Sequence, residues 1–586
     1  MSRVSFFDSI FGPPGHPHRG RWIVLAAVLT GLVIVVPILF VVSTVPSPSP
    51  PTPTFPIVPA SLGEPIGSAV PLYSGFLGVN LRPDFALTAS ALAELNSTGV
   101  RLVRWPGGAL GDRYDPIANG GQGVIYTDSG QPLPAATSLG EFVAWCQSTS
   151  CRSVITLPAE IDNASLAAAI VSYTETTLGF RPTYWEIGNE PALWSHFGIP
   201  WPDWQPSQNS TVTPQEYATV VASYVRAIRS VDPVTGIIGI GGIGTGAADV
   251  STWFDPTLEL DGPNLSAMAI HVYPAGNATY LSGISAWFST LRGTMSGLPA
   301  RVENAQSVMQ QACPSCRLTL LVDEFQTGTD LTSATALSGG YLATYVAAEI
   351  VQALPLPIVS LDYFDFQGVT PGAWLGPTGA GSASLALYQA LESRLGALAV
   401  QLRVNASIPG LLAAQGGNST ANLGSLLLVN TNSSVGFALN LSDRLSINRT
   451  VTAWQFNGSS PSPGTTSVSP AELMNWTIPP ASMVLLTGLN PLPASSEGNS
   501  RATPVPLSQT SAEPSHLGTI GRFFEGSAAV RQGYLALAPR ESGVQRARPP
   551  GVSPRRTTNP GAPTPKCILG PPTGRAGRTL RNGTSA

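Results

Sequence analysis

The chain has 586 residues, of which 43% are hydrophobic, and a formal net charge of −4 at pH 7. This length allows two ordinary domains or one large domain with an appendage, and the hydrophobic content is typical of a globular body. Residues 22–494 carry fifteen Lys and Arg against twenty-nine Asp and Glu, whereas residues 495–586 carry twelve basic residues against four acidic ones. The acidic body argues against a nucleic-acid-binding protein.

An uncharged apolar stretch occupies residues 22–42 and is long enough for a helix to cross the hydrocarbon core of a bilayer. Arg3, Arg19 and Arg21 precede it and outweigh Asp8. We therefore expect residues 1–21 to stay in the cytoplasm and the chain after residue 42 to face the exterior. The alternative is a cleaved signal peptide, but the apolar core is long and lacks a clean cleavage site, which favours an uncleaved transmembrane anchor.

Proline and low-complexity segments flank the body. The sequence predicts a stiff extended stalk over residues 43–62, because its run VPSPSPPTPTFPIVP excludes helices and sheet ladders. Pro, Ser, Gly and Arg dominate residues 493–586, which predicts a disordered basic tail.

Four of the five cysteines form two close pairs, Cys146 with Cys151 and Cys313 with Cys316. In an exterior domain these indicate two local disulfides. A four-cysteine zinc site is the alternative, and the barrel layout described next argues against it by placing the pairs on roughly opposite sides. Thirteen Asn-x-Ser/Thr sequons are compatible with a glycosylated surface.

Between residues 63 and 397, short β-rich runs alternate with longer helical stretches. The predicted strands are residues 75–80, 101–105, 153–158, 184–189, 236–242, 266–273, 317–325 and 359–366. Eight such units suit either a (β/α)8 barrel or an open doubly wound sheet. Polar and ionisable residues crowd the ends of these strands, and a barrel brings all the ends to one mouth. The sequence therefore favours the TIM barrel.

From residue 398 to 492 the pattern changes to short alternating runs, such as SLLLVNTN and TVTAWQFN, split by Asn, Gly and Ser turns. This predicts a C-terminal antiparallel β-sandwich, to which residues 60–74 can add strands.

Two glutamates end two of the predicted barrel strands. Glu190 follows YWEIGN, and Pro191 stops that strand at the mouth. Burial among Tyr184, Trp185 and Trp194 would raise its pKa and suit it to be a general acid; the alternative is a solvated glutamate in a turn.

The run RLTLLVDEF brings Asp323 and Glu324 to the mouth from the seventh strand. Adjacent residues point oppositely, and we expect Glu324 to face the pocket. Two carboxylates from different strands are what glycosidic bond cleavage needs. Glu186 lies lower on the fourth strand and is expected to be structural.

These motifs together resemble the retaining (β/α)8 glycoside hydrolases of clan A. They are GNEP at the end of strand four, His271 to Tyr273 (HVY) on strand six, the glutamate ending strand seven, and RWPGG from Arg104 after strand two. The sequence is most similar to glycoside hydrolase family 79, the heparanase and β-glucuronidase group, with families 39 and 51 as near rivals. Its DEFQ ending is closer to the DEW-type ending of family 51.

The resemblance implies roles for individual residues. Glu190 would be the acid/base and Glu324 the nucleophile of a double displacement. Asn189 would bind the sugar 2-hydroxyl, and Tyr273 and Arg104 would keep the nucleophile ionised. Further candidate substrate contacts are His271, which could equally be a core residue, and Asp365 and Trp374 near the eighth strand. No metal-binding or nucleotide-binding motif is present, so no cofactor is expected.

The sequence thus predicts a membrane-anchored, outward-facing glycosidase acting on O-glycosidic bonds of exterior glycans or polysaccharides. The alternatives are a non-catalytic carbohydrate-binding surface protein and a transglycosylase on the same barrel. Neither the sugar nor the oligomeric state follows from the sequence.

Overall fold

The computed structural model describes residues 55–242, 247–275, 283–292, 297–328, 337–368, 372–420, 422–442, 451–460 and 462–490. The predicted anchor at 22–42 and the predicted tail at 493–586 lie outside these ranges. Within them, no helix is both long and apolar enough to cross a membrane.

Strands are numbered in chain order. They are β1 (Ile57–Pro71), β2 (Leu77–Asn80), β3 (Leu102–Trp105), β4 (Tyr114–Asp115), β5 (Val124–Tyr126), β6 (Pro132–Pro134), β7 (Arg152–Leu157), β8 (Tyr184–Ile187), β9 (Gly236–Ile238), β10 (Ala267–Val272), β11 (Thr319–Phe325), β12 (Ser360–Tyr363), β13 (Leu398–Ala406), β14 (Leu411–Gly417), β15 (Ser425–Asn430), β16 (Gly436–Leu439), β17 (Val451–Asn457), β18 (Gly464–Val468), β19 (Trp476–Ile478) and β20 (Ser482–Thr487).

Eight parallel strands close into a barrel in the order β2, β3, β7, β8, β9, β10, β11 and β12. The prediction of a TIM barrel is confirmed, and each of its strands overlaps one of the eight predicted runs. Five of the strands, β7, β8, β9, β10 and β12, end before the predicted runs do, and the remaining residues of those runs enter the loops at the mouth. Those loops carry the candidate site. The small sheet β4, β5 and β6 belongs to the loop after β3.

The helices alternate with the strands. They span Ala89–Ser97, Leu139–Thr149, Ala164–Ser172, Pro214–Val231, Ala247–Asp261, Gly283–Thr290, Leu298–Ala312, Gly339–Ala353, Ala383–Ala390 and Pro470–Leu473. Local sequence explains where several begin. Ser138 and Glu141 form a capping box at one N-terminus, and Thr213 and Glu216 form another, ahead of Pro214 at the first helical position.

Both predicted disulfides are present, Cys146–Cys151 and Cys313–Cys316. Each closes a short loop after a helix, so the two pairs are separate rather than four ligands of one metal.

The C-terminal region is a nine-stranded sheet with its own core, in the order β18, β17, β20, β15, β14, β13, β1, β16 and β19. All residues of β15 are buried because alternate side chains serve two cores: Leu426 and Leu428 pack inside the sheet region, and Leu427 and Val429 pack on the barrel side. This agrees with the predicted β-sandwich, although β1 runs parallel to β16.

The predicted limits of the stalk and barrel need correction. Residues 57–62, assigned to the stalk, and 63–71, assigned to the barrel, form β1 of the C-terminal sheet, where β1 pairs with β13. Proline did not prevent this strand, because irregularities between Leu62 and Pro65 and between Ile66 and Val70 interrupt its ladder with β13.

Candidate active site

The carboxyl ends of six barrel strands bring polar side chains to one mouth. These residues are Asn80 at the end of β2, Arg104 on β3, Asn189 and Glu190 after β8, His271 and Tyr273 at β10, Asp323 and Glu324 on β11, and Asp365 after β12. The structure therefore brings together the predicted residues Arg104, Asn189, Glu190, His271, Tyr273 and Glu324.

Arg104 is the centre of this cluster and is fully buried. Its Nη1 donates to Glu324 Oε1 at 2.7 Å, its Nη2 donates to Asn189 Oδ1 at 2.8 Å, and its Nε donates to Glu186 Oε2 at 2.7 Å. Nη1 also donates to Asn80 Oδ1 at 3.0 Å. A guanidinium suits this place because its donors fan out in one plane.

Both oxygens of Glu324 accept a hydrogen bond from a buried donor. One accepts from Arg104, and the other accepts from Tyr273 Oη at 2.7 Å. Only 3% of Glu324 is exposed. The carboxylate is therefore held in one orientation, with its charge facing a fixed cation and a fixed phenol, which suits a nucleophile that must attack along one direction.

Glu190 is held differently, by its backbone and one ring. Its backbone is in the left-handed region (φ 46°, ψ 60°), and its N–H donates to Gly241 O at 2.8 Å. Left-handed backbone is uncommon for residues with a Cβ, and it clusters at functional sites. Glu190 Oε1 lies 3.0 Å from His271 Nδ1, and 22% of the side chain is exposed.

The pKa of Glu190 differs from the sequence-based expectation. Burial raises it, but the charge and hydrogen bond of His271, together with the charge of Arg104, hold the pKa below its usual value. The expected rise is therefore wrong, because His271 and Arg104 outweigh the effect of burial. Trp194, one of the expected aromatic neighbours, directs its Nε1 to Asp112 and to Asn189 O.

Asp112 positions the segment before Glu190. Its carboxylate accepts from the N–H of Asn189 at 3.0 Å and from Trp194 Nε1 at 2.9 Å, and it also accepts from the N–H of Ala159 at 3.3 Å. With 2% exposure, Asp112 is a structural clamp rather than part of the accessible surface.

Asp323 also faces the barrel interior, which corrects the expectation that only Glu324 would. In the ladder with β10, Ile270 pairs with Val322 and His271 pairs with Glu324, so Asp323 is the extra residue of a β-bulge. Its Oδ2 lies 3.6 Å from Arg104 Nε, and its Oδ1 lies 3.5 Å from His271 Nε2.

Glu186 has the structural role that the sequence predicted. It is fully buried and accepts from Arg104 and from Thr156 Oγ1, the latter at 2.5 Å. Burial raises its pKa, but the charge of Arg104 and its hydrogen-bond donors hold it below its usual range. Burial and the charge of Glu186 raise the pKa of Asp323 well above its usual range.

Two of the predicted substrate contacts are placed differently. Trp374 is wrong as a contact: it is fully buried, and its ring lies 5.7 Å from the Tyr363 ring and 4.4 Å from the Tyr388 ring. The apolar neighbours of this loop fold it back onto the barrel wall. His271 is 1% exposed and contacts the two glutamates instead of open solvent.

Asp365 lies at the mouth, with its Oδ2 3.3 Å from Arg82 Nη1. Nη2 of the same arginine pairs with Asp84. Burial raises the pKa of Asp365 to about 7, although Arg82 opposes the rise. Arg82 and Asn80 were missed by the sequence-based search. The signal for Asn80 was a polar residue ending an apolar strand, as at Glu190 and Glu324.

One oxygen or nitrogen atom from each of Glu190, His271 and Glu324 lies within 4.8 Å of the other two. Arg104 and Tyr273 already donate to the two oxygens of Glu324, and the imidazole of His271 lies between the two carboxyl groups.

Comparisons with known proteins give a partial sequence match and several matches in fold. No family model matches the chain. The probable α-L-arabinofuranosidase C of Aspergillus fumigatus is 26% identical over 227 residues, which cover 33% of this chain and 41% of that protein. The chain therefore matches less than half of the length of this curated relative.

Solved structures of two family 51 arabinofuranosidases share the fold. The enzyme from Bifidobacterium longum has a TM-score of 0.56 at 14% identity and covers 75% of this chain and all of its own. The enzyme from Xanthomonas axonopodis pv. citri has a TM-score of 0.54 at 13% identity, with 74% and 100% covered. At these identities the two structures show a shared fold, and they do not show the narrower resemblance to family 79.

Proposed function

We propose that the protein is a retaining glycoside hydrolase that cleaves O-glycosidic bonds by double displacement. The observation that carries this proposal is the close approach of Glu190 and Glu324, which have carboxylate oxygens within 4.8 Å of each other. Retaining glycosidases separate their two carboxyl groups by about 5–5.5 Å, whereas inverting enzymes leave about 6.5–9.5 Å for a water molecule.

Each glutamate has the surroundings that its role requires. Glu324, oriented by Arg104 and Tyr273, attacks the anomeric carbon and forms the glycosyl-enzyme ester. Glu190, the more exposed of the two, protonates the leaving oxygen and then takes a proton from the attacking water. Asn189, fixed through its side-chain oxygen by Arg104, places its amide nitrogen toward Glu190 and can donate to a sugar hydroxyl between them.

The substrate is proposed to be a neutral sugar. Two basic residues, Arg82 and Arg113, occur in the sequence of the loops after the barrel strands, and Arg104 lies on a strand below them. Each pairs with carboxylates: Arg82 with Asp84 and Asp365, Arg113 with Asp128, and Arg104 with the buried cluster. A uronic acid would have no unpaired cation for its carboxylate. Together with the arabinofuranosidase relatives, this favours α-L-arabinofuranosides over glucuronides.

The proposed location is the cell exterior, with residues 22–42 as an anchor. The motivating observations are the apolar length and flanking arginines of that stretch and the two disulfides of the body. Protease protection of the C-terminal region in intact cells would contradict this location.

The enzymatic proposal is tested with 4-nitrophenyl glycosides of arabinofuranose, xylose, glucose and glucuronic acid. We expect hydrolysis of a neutral glycoside, and loss of at least 10³-fold in kcat/KM for Glu190→Gln and for Glu324→Gln on a substrate with a poor leaving group. Glu303→Gln is the matched control, because Glu303 is exposed on an outer helix. Wild-type activity in either site variant would refute the assignment, and a preference for the glucuronide would refute the neutral-sugar proposal.

A further inference from the structure

His271 lies between the two catalytic candidates and is nearly inaccessible to a substrate. Its Nδ1 is 3.0 Å from Glu190 Oε1 and 3.3 Å from Glu324 Oε2, and the residue is 1% exposed. One ring nitrogen therefore faces both carboxylates. A residue that only filled the core would not need this contact.

The Nε2 edge of the His271 ring also has fixed neighbours. Nε2 lies 3.5 Å from Asp323 Oδ1, on the bulged residue of β11. On the β9 side, Gly242 has φ +72°, and a Cβ at this position would overlap the imidazole. The bulge and the glycine together place His271 with each ring nitrogen facing a carboxyl group.

The charged and titratable groups around His271 come from several strands. Glu190 faces it from the end of β8, Asp323 and Glu324 face it from β11, and Tyr273 follows it on its own strand with ring centroids 6.4 Å apart. Arg104 acts on Glu190 and Glu324 from β3. The described residues of the β9 end, Gly241 and Gly242, carry no charge.

Asp323 faces the other ring nitrogen. Its Oδ1 lies 3.5 Å from Nε2, where a carboxyl oxygen can accept from Nε2–H. With the Nε2–H form favoured, Nδ1 of a neutral His271 is an acceptor that faces Glu190.

We propose that His271 is a positioning residue that shares one proton with Glu190, and that this shared proton is the one delivered to the leaving group. In one form the proton is on Nδ1 and Glu190 is a carboxylate; in the other it is on Glu190 and Nδ1 accepts it. This inference rests on the proposed glycosidase function.

Protons are conserved over the two steps of the reaction. As the glycosidic bond breaks, the shared proton leaves with the aglycone oxygen, and Glu190 remains a carboxylate beside a neutral imidazole. In the second step water attacks the ester of Glu324, its proton returns to the Glu190–His271 pair, and Glu324 is released as a carboxylate. Glu190 alone would have to hold the proton against the nearby charge of Arg104.

The test is His271→Gln, whose side-chain amide can still donate to Glu190 but cannot hold the exchangeable proton. We expect the basic limb of the kcat/KM profile to move to lower pH by about one unit or more. For an aryl glycoside with a poor leaving group, kcat/KM at pH 7 should fall by about 10–100-fold; a 2,4-dinitrophenyl glycoside, which needs no proton, should lose less than about 3-fold.

The matched control is His196→Gln, since His196 is also buried but its ring stacks on Trp204 and its Nδ1 pairs with Ser195 Oγ. It should leave the basic limb in place. Equal losses for both leaving groups in His271→Gln, or a basic limb that stays or moves to higher pH, would overturn the proposal.

A second measurement uses the wild-type protein and does not depend on the variant folding. Long-range ¹H–¹⁵N spectra above the basic limb should show hydrogen on Nε2 of His271 and none on Nδ1. The opposite tautomer would refute proton sharing. Failure of the glycosidase proposal is distinguishable, because it would appear as wild-type activity in Glu190→Gln or Glu324→Gln.

Discussion

At the floor of the barrel mouth, four charged or acidic groups are sealed from water: Arg104, Glu186, Asp323 and Glu324, here called the floor cluster. At the rim, Glu190 and His271, here called the rim pair, keep one partly exposed carboxylate. In the floor cluster, Glu186 and Glu324 are oriented by buried hydrogen bonds from the Arg104 guanidinium. In the rim pair, Glu190 is oriented by its left-handed backbone and by the imidazole of His271. The comparison teaches that a nucleophile requires a fixed charge, whereas an acid/base requires a proton that can leave.

The largest effect is expected from removing the central cation of the floor cluster. Arg104→Met leaves Glu186 and Glu324 without their buried partner, and we expect a loss of about 3–5 kcal/mol in the free energy of unfolding, together with loss of activity. Urea unfolding at pH 7 measures the stability. Arg181→Met is the control, because Arg181 is half-exposed in its pair with Glu175 and should cost about 0–1 kcal/mol. Similar costs for both arginines would contradict the special role of the floor.

A smaller effect on stability is expected from Asp362, a titrating carboxyl group next to the floor cluster. Burial raises the pKa of Asp362 to about 8, whereas in the unfolded chain it is about 3.9. Between these values the folded state binds the extra proton, so wild-type stability falls as pH rises from about 4 to 8 and then levels off. Asp362→Asn should remove this slope and be more stable than wild type above pH 8, by on the order of a few kcal/mol.

Thermal or urea unfolding from pH 4 to 9 checks this prediction. Asp84→Asn provides the control, because Asp84 is a partly exposed carboxylate at the rim. Parallel pH profiles for wild type and Asp362→Asn would show that Asp362 is ionised in the folded protein.

The next largest effect is expected from removing the hydroxyl group of Tyr273, which follows β10 and donates to Glu324. Tyr273→Phe removes the 2.7 Å bond to Oε2 while Arg104 remains. A hydrogen bond to a charged group contributes about 1.5–3 kcal/mol, so kcat/KM should fall by roughly 10–150-fold. The matched variant Tyr126→Phe lies on the loop sheet, where the ring stacks on Trp201, and should be within about 2-fold of wild type. An unchanged rate for Tyr273→Phe would mean that the floor orients Glu324 without the phenol.

The smallest change in stability is expected from alanine substitutions at two glycines. They separate the cost of backbone strain from the effect of contact with the rim pair. Gly242 and Gly179 both have positive φ, +72° and +63°, but a Cβ at Gly179 would meet nothing within 4 Å. Alanine should cost about 1 kcal/mol of stability at Gly179, and more at Gly242, where the added Cβ must displace the His271 ring. Only Gly242→Ala should also displace His271 and reduce kcat/KM, by at least about 10-fold. Equal activity in the two variants would show that the His271 ring position is unimportant.

Much of the fold was predictable from local patterns. Apolar β-rich runs separated by helical stretches indicate barrel strands whatever their neighbours, and the polar residue ending each run marks the mouth. Glu190, Glu324, Tyr273 and Arg104 were found in this way. Paired cysteines likewise indicated the two disulfides.

The errors share one physical cause: side-chain direction depends on neighbours that are distant in sequence. Asp323 faces inward because of its register with β10, and Trp374 packs against Tyr388 because its loop folds back. The stalk was drawn to residue 62, but β1 begins at Ile57, because β13, more than three hundred residues later, pairs with it; that residues 60–74 add a strand to this sheet was expected.

By itself, the sequence determined the kind of elements, their order and which carboxylates end the barrel strands, since these depend on local hydrophobic pattern and on residues such as Pro191 that stop a strand. Only the tertiary structure decided how these groups are paired. Arg104 and Glu324, 220 residues apart in the chain, are joined at 2.7 Å, and His271 is brought between Glu190 and Asp323. The physical reason is that ionisation and orientation depend on burial and on nearby charges, which exist only once the barrel has closed.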